Sequence, residues 1–329
     1  MNAELDIVHP VKHGPTTHDI ARICKAAGDG LRMDILCALA TDSYGVLELS
    51  HAFEVTQSGM SHHLKVLTKA GLVLSRREGN SIFYRRSQLA VEDPCRAIKV
   101  SLFAALSPQL LSADVQARLA QVHAERARTS QQFFLENAGK FREQQDLIAS
   151  FPVYAQQVTE LLQQTPVPGK ARALEIGPGE GEFLPQLASA YQQVLGLDSS
   201  AAMLARASSY CSAHENITLV NADTSYLHNL TDVFDCAVIN MVLHHTPSPR
   251  QLFADVSGVL KTGAALLVTE LCRHDQTWVT QACGDIWLGF DPADLTQWAE
   301  EADLKPGQSV YFALRNGFQI QIRQFFKTA

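Results

Sequence analysis

The run Leu174-Glu175-Ile176-Gly177-Pro178-Gly179-Glu180-Gly181 sets three glycines at alternate positions directly after an apolar stretch. Glycines in this position let the backbone turn tightly and approach a ligand closely. The spacing is G-x-G-x-G and not the G-x-G-x-x-G of loops that place a pyrophosphate on a helix N-terminus. Glu175, Glu180 and Glu182 add three carboxylates to the loop and its first turn. These would repel a phosphate and favour a cationic group. Asp198 ends the apolar run Gly196-Leu197-Asp198, about twenty residues past the glycines, where a carboxylate can hold ribose hydroxyls. Asn221, Ala222 and Asp223 end a third apolar run and bring an amide and an acid to the place of an adenine. Asn240 ends a fourth, and His244 and His245 follow it. The candidate ligand set is therefore Glu175, Gly177, Gly179, Gly181, Asp198, Ala222, Asp223 and Asn240. His244 or His245 is a candidate general base, though a loop histidine with no chemical role is the reading preferred for this position.

A second cluster suits nucleic acid. Thr56 is placed to cap a helix from Gln57 to Ala70, whose apolar stripe is Met60, Leu64 and Leu67. Gln57, Ser58, Ser61, His62 and Lys65 fall off that stripe, with donors and acceptors fit for base edges and phosphates. Residues 57–86 hold six basic side chains and one acid, Glu78. Arg76, Arg77, Arg85 and Arg86 flank the turn Glu78-Gly79-Asn80-Ser81, so a hairpin would carry them to the DNA backbone or minor groove. His63 is expected to pack, and Cys24 and Cys37 are expected in the core.

The elements that must position these groups are legible as patterns. Residues 1–18 are a polar lead-in. Asp19 is placed to cap a first helix, which Gly28-Asp29-Gly30 breaks. Helical spacing follows over Leu31–Ala40 and Val46–Phe53, then the long helix that Gly71 stops, then strands at Leu72–Ser75 and Ile82–Arg85. A further helix spans Pro94–Leu111, and 112–165 is read as wholly helical. From residue 171 strands alternate with helices: 171–176, 193–197, 217–221, 235–240 and 264–269, with a terminal hairpin of Val310–Leu314 and Gly317–Phe325. That alternation specifies a parallel α/β sheet. The expected division is 1–111 for DNA binding and dimerisation, 112–168 for a helical linker and lid, and 169–329 for ligand binding.

Both halves resemble known families. Gln57-Ser58-Gly59-Met60-Ser61-His62-His63-Leu64-Lys65-Val66-Leu67, followed by Ala70-Gly71-Leu72-Val73, is similar to the ArsR/SmtB winged helix-turn-helix repressors over residues 20–105, as is Gly30-Leu31-Arg32-Met33-Asp34-Ile35-Leu36. The resemblance implies a homodimer on palindromic double-stranded operator DNA. The helix matching the family's metal sensor reads Val46-Leu47-Glu48-Leu49-Ser50-His51, without cysteine, and no metal is expected. Residues 130–329 resemble the Rossmann-like class I methyltransferases, which implies S-adenosylmethionine or its product S-adenosylhomocysteine as cofactor. Carboxylates are tolerable beside the ammonium and sulfonium of the former. The fold class is α/β, a winged helix-turn-helix joined to a Rossmann-like methyltransferase domain. In similar enzymes lid aromatics close over the cofactor, a role for Phe133, Phe134 or Phe141 that core packing would equally explain.

Three functions fit. One is a regulator that responds to S-adenosylmethionine or S-adenosylhomocysteine and controls methyl-cycle genes, as the resemblance to regulators joining these two modules implies. Another is an active small-molecule methyltransferase that also regulates its own operon, its acceptor near His245 and Trp287. The third, a DNA-modifying enzyme, lacks an Asn/Asp-Pro-Pro-Tyr-type segment after the fourth strand.

The net charge of −7 does not exclude DNA binding. Residues 1–110 carry 12 Lys+Arg against 11 Asp+Glu, leaving 15 against 23 of the totals 27 and 34 for 111–329. The acidity belongs to the second half. Hydrophobic content of 46% allows packed cores, and no apolar run approaches the ~20 residues of a membrane span. Seven scattered cysteines give no C-x-x-C, against a disulfide framework or zinc ribbon. A cytoplasmic location without membrane contact is expected.

Overall fold

The computed structural model describes residues 14–137 and 139–329, with the side chain of Phe141 also outside the described set. The expected lead-in thus falls mostly outside the described residues. The chain divides into two compact units, one through Val122 and one from His123.

The first unit begins with α1 (Thr17–Ala27) and α2 (Gly30–Ala38). Thr16, and not Asp19, caps α1: its hydroxyl accepts the Asp19 amide at 3.1 Å, while the Asp19 carboxylate reaches back to the Thr16 amide at 3.3 Å. Asp19 is the far half of a capping box. Asp29 caps α2 through the Arg32 amide at 3.0 Å. Then follow β1 (Tyr44–Gly45), α3 (Val46–Ala52) and α4 (Gln57–Lys69). Thr56 caps α4 as its position predicts, accepting the Gly59 amide at 3.2 Å. Gly71 stops the helix with φ +66, a conformation that costs any residue with a Cβ.

The wing is β2 (Val73–Glu78) and β3 (Ser81–Arg86), antiparallel, with β1 on the other side of β3. β1 has two residues, too few for an alternation pattern to reveal it. α5 (Arg96–Ala104) and a 3-10 turn, Pro108–Leu110, replace the longer helix expected there. Met60, Leu64 and Leu67 are fully buried with Ile35, Leu36 and Leu49. Truncating one such leucine to alanine costs about 2–5 kcal/mol.

α6 (Ala113–Asn137) contains the division between the units. The stretch read as wholly helical is broken into α6, α7 (Phe141–Ile148) and α8 (Phe151–Gln164). The second unit continues with β4 (Arg172–Ile176), α9 (Leu184–Ala190), β5 (Gln193–Asp198), α10 (Ala201–Tyr210), β6 (Ile217–Asn221) and β7 (Phe234–Asn240). It ends with α11 (Pro249–Val259), β8 (Leu260–Leu271), α12 (Val279–Ala282), α13 (Pro292–Glu301), β9 (Leu304–Ala313) and β10 (Gln319–Lys327).

The sheet order is β6-β5-β4-β7-β8-β10-β9. β4 pairs in parallel with β5 and with β7, and β10 is antiparallel to both β8 and β9. β4 and β7 are buried almost throughout because helices cover both faces. The sheet reverses its winding between β4 and β7, which opens a crevice past the carboxyl ends of those strands. Among the described residues no helix is long and apolar enough to cross a membrane.

Candidate cofactor cavity and nucleic-acid interface

The glycine loop leaves β4 at that crevice. Gly177, Gly179 and Gly181 all have positive φ, at +61, +57 and +86. They do different work. A Cβ on Gly177 would sit 2.6 Å from Val242, so this glycine lets the two strand-end loops touch. A Cβ on Gly179 would meet only Met203, at 3.9 Å, leaving open space above its backbone. A Cβ on Gly181 would meet Ala207 and Cys211 of the α10 region at 3.1 Å, and Gly181 borders neither cavity described below. Its bare backbone thus lets the loop pack closely on α10.

Two cavities meet at the loop, both bordered by Gly177, Gly179 and Met241. The larger, of about 450 Å³, is lined by Asp198, Ala222, Asp223, Met203, Phe134 and His245 among others. The smaller, of about 90 Å³, is lined by Glu175, Asn240, Arg142, Tyr154, Glu180 and Glu182 among others.

Expected ligand residues thus separate by cavity. Asp198 accepts the Ser200 amide at 2.8 Å, and burial raises its carboxyl to about 6 against the pull of the Ser200 and Gly179 amides. Asp223 caps a 3-10 turn, accepting the Ser225 amide at 2.9 Å while bordering the larger cavity. Glu175 is 2% exposed. Burial pushes its carboxyl up to about 8, against the pull of the Asn240 side chain and with a contribution from Asp198. The Asn240 side chain lies beside the Glu175 carboxyl, but Glu175 Oε2 and both amide atoms of Asn240 are buried without a well-formed hydrogen bond among the described residues. Such atoms cost about 1–3 kcal/mol each when left unmatched.

Glu180 and Glu182 are not free carboxylates. Arg206 binds Glu180 at 2.7 Å, and Arg142 of α7 pairs with Glu180 at 3.5 Å and with Glu182. The arginines were not singled out from sequence, because the pairing spans α7, the loop and α10.

The two histidines part company. His244 is fully buried, lines neither cavity, and holds Glu270 Oε1 at 2.6 Å through Nδ1. Burial opposes its charge, but the Glu270 and Asp285 carboxylates push it up to about 9. That removes His244 as a base for a molecule in either cavity. His245 does border the larger cavity, with the Phe134 ring edge-on at 5.0 Å. Burial and the adjacent His244 hold it well below the ordinary range, against the Gly284 carbonyl, so its imidazole is neutral. Of the expected lid aromatics, Phe134 faces the larger cavity while Phe133 packs on Gly284. Trp287, expected near an acceptor, is 4% exposed, donates to the Thr246 carbonyl at 2.8 Å and borders neither cavity.

In the first unit Gln57, Ser58, Ser61, His62 and Lys65 are all exposed on α4, and Arg77 is exposed on β2. Arg85 is half-buried. Arg76 and Arg86, expected on the DNA side of the wing, are otherwise engaged. Arg76, with 12% of its side chain exposed, pairs with buried Glu78. Arg86 donates to the carbonyls of Leu36, Phe103 and Leu106 at 2.8, 3.1 and 3.0 Å. His63 is partly buried, 3.8 Å from Asp29, as expected of a packing histidine. Cys37 is buried, but Cys24 is exposed, contrary to expectation.

Residues 29–75 match the model of the bacterial regulatory protein arsR family. An uncharacterised HTH-type transcriptional regulator of Methanocaldococcus jannaschii is 43% identical over 65 residues, which are 20% of this chain and 73% of that protein. The chain belongs to the ArsR family. This ArsR-family chain also carries a methyltransferase domain, matched at residues 174–268. The transcriptional activator HlyU of Vibrio cholerae is 39% identical over 70 residues, 21% of the chain and 65% of the activator. A malonyl-[acyl-carrier protein] O-methyltransferase of Legionella pneumophila is 32% identical over 102 residues, 30% of the chain and 36% of the enzyme. The chain thus spans only part of the length of each of these two. A 1,6-didemethyltoxoflavin-N1-methyltransferase of Burkholderia thailandensis has the same fold as the second unit, with a TM-score of 0.50 at 15% identity, covering 63% of this chain and 91% of that one. The exposed α4 residues lie inside the ArsR match, and Glu175, Asp198 and Asn240 inside the methyltransferase match.

Proposed function

We propose that this ArsR-type regulator uses its methyltransferase domain as a receptor for S-adenosylmethionine or S-adenosylhomocysteine, and that the bound nucleotide sets its grip on operator DNA of methyl-cycle genes. The observation that carries the reading is the set of unmatched polar groups around the glycine loop. Glu175 and Asn240 offer an acceptor and an amide to the α-amino acid end of such a ligand in the smaller cavity. Asp198 offers a carboxylate to a ribose diol, and Ala222, Asp223 and Met203 border the space for an adenine. Gly179 leaves its backbone open between the two. When bound, S-adenosylmethionine supplies a sulfonium methyl group.

On the DNA side, α4 enters the major groove, with Gln57, Ser58, Ser61 and His62 at base edges and Lys65 at phosphate. Arg77 and Arg85 of the wing meet the backbone. The regulator works as a homodimer on a two-fold operator, and the nucleotide shifts the balance between DNA-competent and incompetent dimers. Operator affinity measured at one fixed salt concentration, with each nucleotide in turn, tests this. A change of about 5–150-fold with one nucleotide is the expected coupling. Equal affinity throughout, with nucleotide binding shown by calorimetry, would overturn the receptor role.

A second reading, an active small-molecule methyltransferase, is favoured by one observation. His245 presents a neutral imidazole to the larger cavity, able to take a proton from an acceptor. Methyl release from S-adenosylmethionine in cell extract, lost in His245→Ala, would establish it.

A further inference from the structure

Asp285 is an expensive residue where it stands. Its side chain is fully buried, and neither carboxylate oxygen has a hydrogen-bond partner among the described residues. His244 Nε2 is likewise buried and unpartnered. His245 Nδ1 lies 3.8 Å from Asp285 Oδ1. One ligand atom from each of the three residues falls within 4.8 Å of the others. A burial cost of this kind persists only where something matches the groups.

We propose that His244, His245 and Asp285 form a binding site for a divalent first-row transition cation of the zinc type. Two imidazoles and one carboxylate are the donor set that such cations prefer, and three protein ligands leave a further position open. The surroundings are built for ligation. Glu270 holds His244 Nδ1 at 2.6 Å, which aims Nε2 into the cluster, where a cation would take the place of its proton. A carboxylate behind a metal-binding histidine fixes its tautomer and raises its basicity. Glu270 is itself fixed by the amides of Leu271 at 2.6 Å and His244 at 3.2 Å. The loop bearing Asp285 is pinned to the histidine, since the amides of Ile286 and Trp287 donate to the His244 carbonyl at 2.8 and 3.1 Å. Ligand atoms on a tetrahedral zinc are roughly 3.3 Å apart, so these atoms, within 4.8 Å of one another, need draw together only slightly to close on an ion. Among the described residues the polar neighbours of this set are Glu270 at His244 Nδ1, and the Gly284 carbonyl and the Gln145 amide at His245 Nδ1 and Nε2, so a cation would displace the proton His245 Nδ1 shares with Gly284.

The site is separate from the nucleotide cavities in its two deepest ligands. His244 and Asp285 border neither cavity, whereas His245 borders the larger one.

The test uses the full chain, stripped with a chelator and titrated with zinc alone, then with cobalt for its ligand-field absorption. The expected result is one tightly held zinc per chain, a raised melting temperature and a cobalt spectrum with nitrogen and oxygen ligands. Asp285→Asn keeps the shape and should lose the cobalt absorption and the zinc-induced thermal shift, while its circular dichroism stays that of the parent. Glu270→Gln, a positioning change, should weaken zinc by about 10–100-fold without abolishing it. His18→Ala with His51→Ala, both exposed on the first unit, should leave stoichiometry at one. The proposal fails if the stripped chain takes up no zinc. It fails equally if Asp285→Asn, shown to be folded, binds zinc as well as the parent, or if the double surface variant alone removes the zinc. In those cases the cluster is a proton-sharing pair completed by water.

Discussion

In the first unit, a charged side chain that turns inward finds a partner: Arg86 meets three carbonyls, Arg118 donates to the Ala52 carbonyl at 2.7 Å, and Lys99 holds Asp93 at 2.7 Å. At the glycine loop of the second unit, Glu175 and Asn240 turn inward beside each other, and Glu175 Oε2 and the Asn240 amide make no well-formed hydrogen bond among the described residues. The first unit also exposes polar groups on α4 and the wing, where a large, flat, charged partner can meet them. Those of the second are sunk in cavities the size of a small molecule. One unit is finished as a fold and reads with its exterior. The other keeps polar groups inward, beside cavities of small-molecule size.

The sharpest way to break this contrast is to remove an inward partner. Arg86→Ala would strip three carbonyls of their donor and should cost about 3 kcal/mol in denaturant unfolding of the first unit. A loss below about 1 kcal/mol would mean the clamp is ornamental. Next in size, Asp198→Ala should weaken nucleotide binding about a hundredfold in calorimetry, in line with one lost charge-assisted hydrogen-bond pair, while leaving operator affinity without nucleotide unchanged. A wild-type Kd there would take Asp198 out of the ligand set.

A pH series follows. The Glu175 carboxyl stands at about 8, above its ordinary 4.5. Its contribution to ligand-free stability is therefore full below 4.5 and is lost as pH rises toward 8. A cationic ligand group draws the proton off, so nucleotide affinity should rise between about pH 6 and 8, approaching tenfold per unit. Glu175→Gln should flatten both trends in calorimetry and thermal unfolding. The smallest effect belongs to the exposed surface. Arg77→Ala should weaken operator binding by about 1 kcal/mol for any sequence and lower the salt slope by about 1. Fluorescence anisotropy across a salt series measures both, and a sequence-dependent loss would instead place Arg77 at a base.

What the sequence revealed follows the same physics. Period-3.6 and period-2 patterns gave α4, the wing and the five parallel strands nearly to their ends, because each has one buried face or two. β1 escaped because two residues hold no period. The breaks among α6, α7 and α8 escaped because polar helix-forming residues continue through them. The strand-end residues Glu175, Asp198 and Asn240 were legible because strand order alone brings their positions together. Arg86 and Arg76 were not separable from Arg77, since only the pleat decides which of neighbouring arginines turns inward. Asp285 and Glu270 were silent because they meet His244 across 41 and 26 residues, without a motif.

One feature of the sheet bears on how the molecule is made. β10, the strand latest in sequence, is not at the edge but lies between β8 and β9. The second unit cannot complete its sheet until that strand leaves the ribosome. The first unit ends at Val122, 205 residues before β10 ends at Lys327, which at about 5–20 residues per second is on the order of ten seconds or more. For that interval each new chain carries a folded ArsR-type module and a methyltransferase domain with an open sheet, so the module that meets DNA matures before the one proposed to govern it.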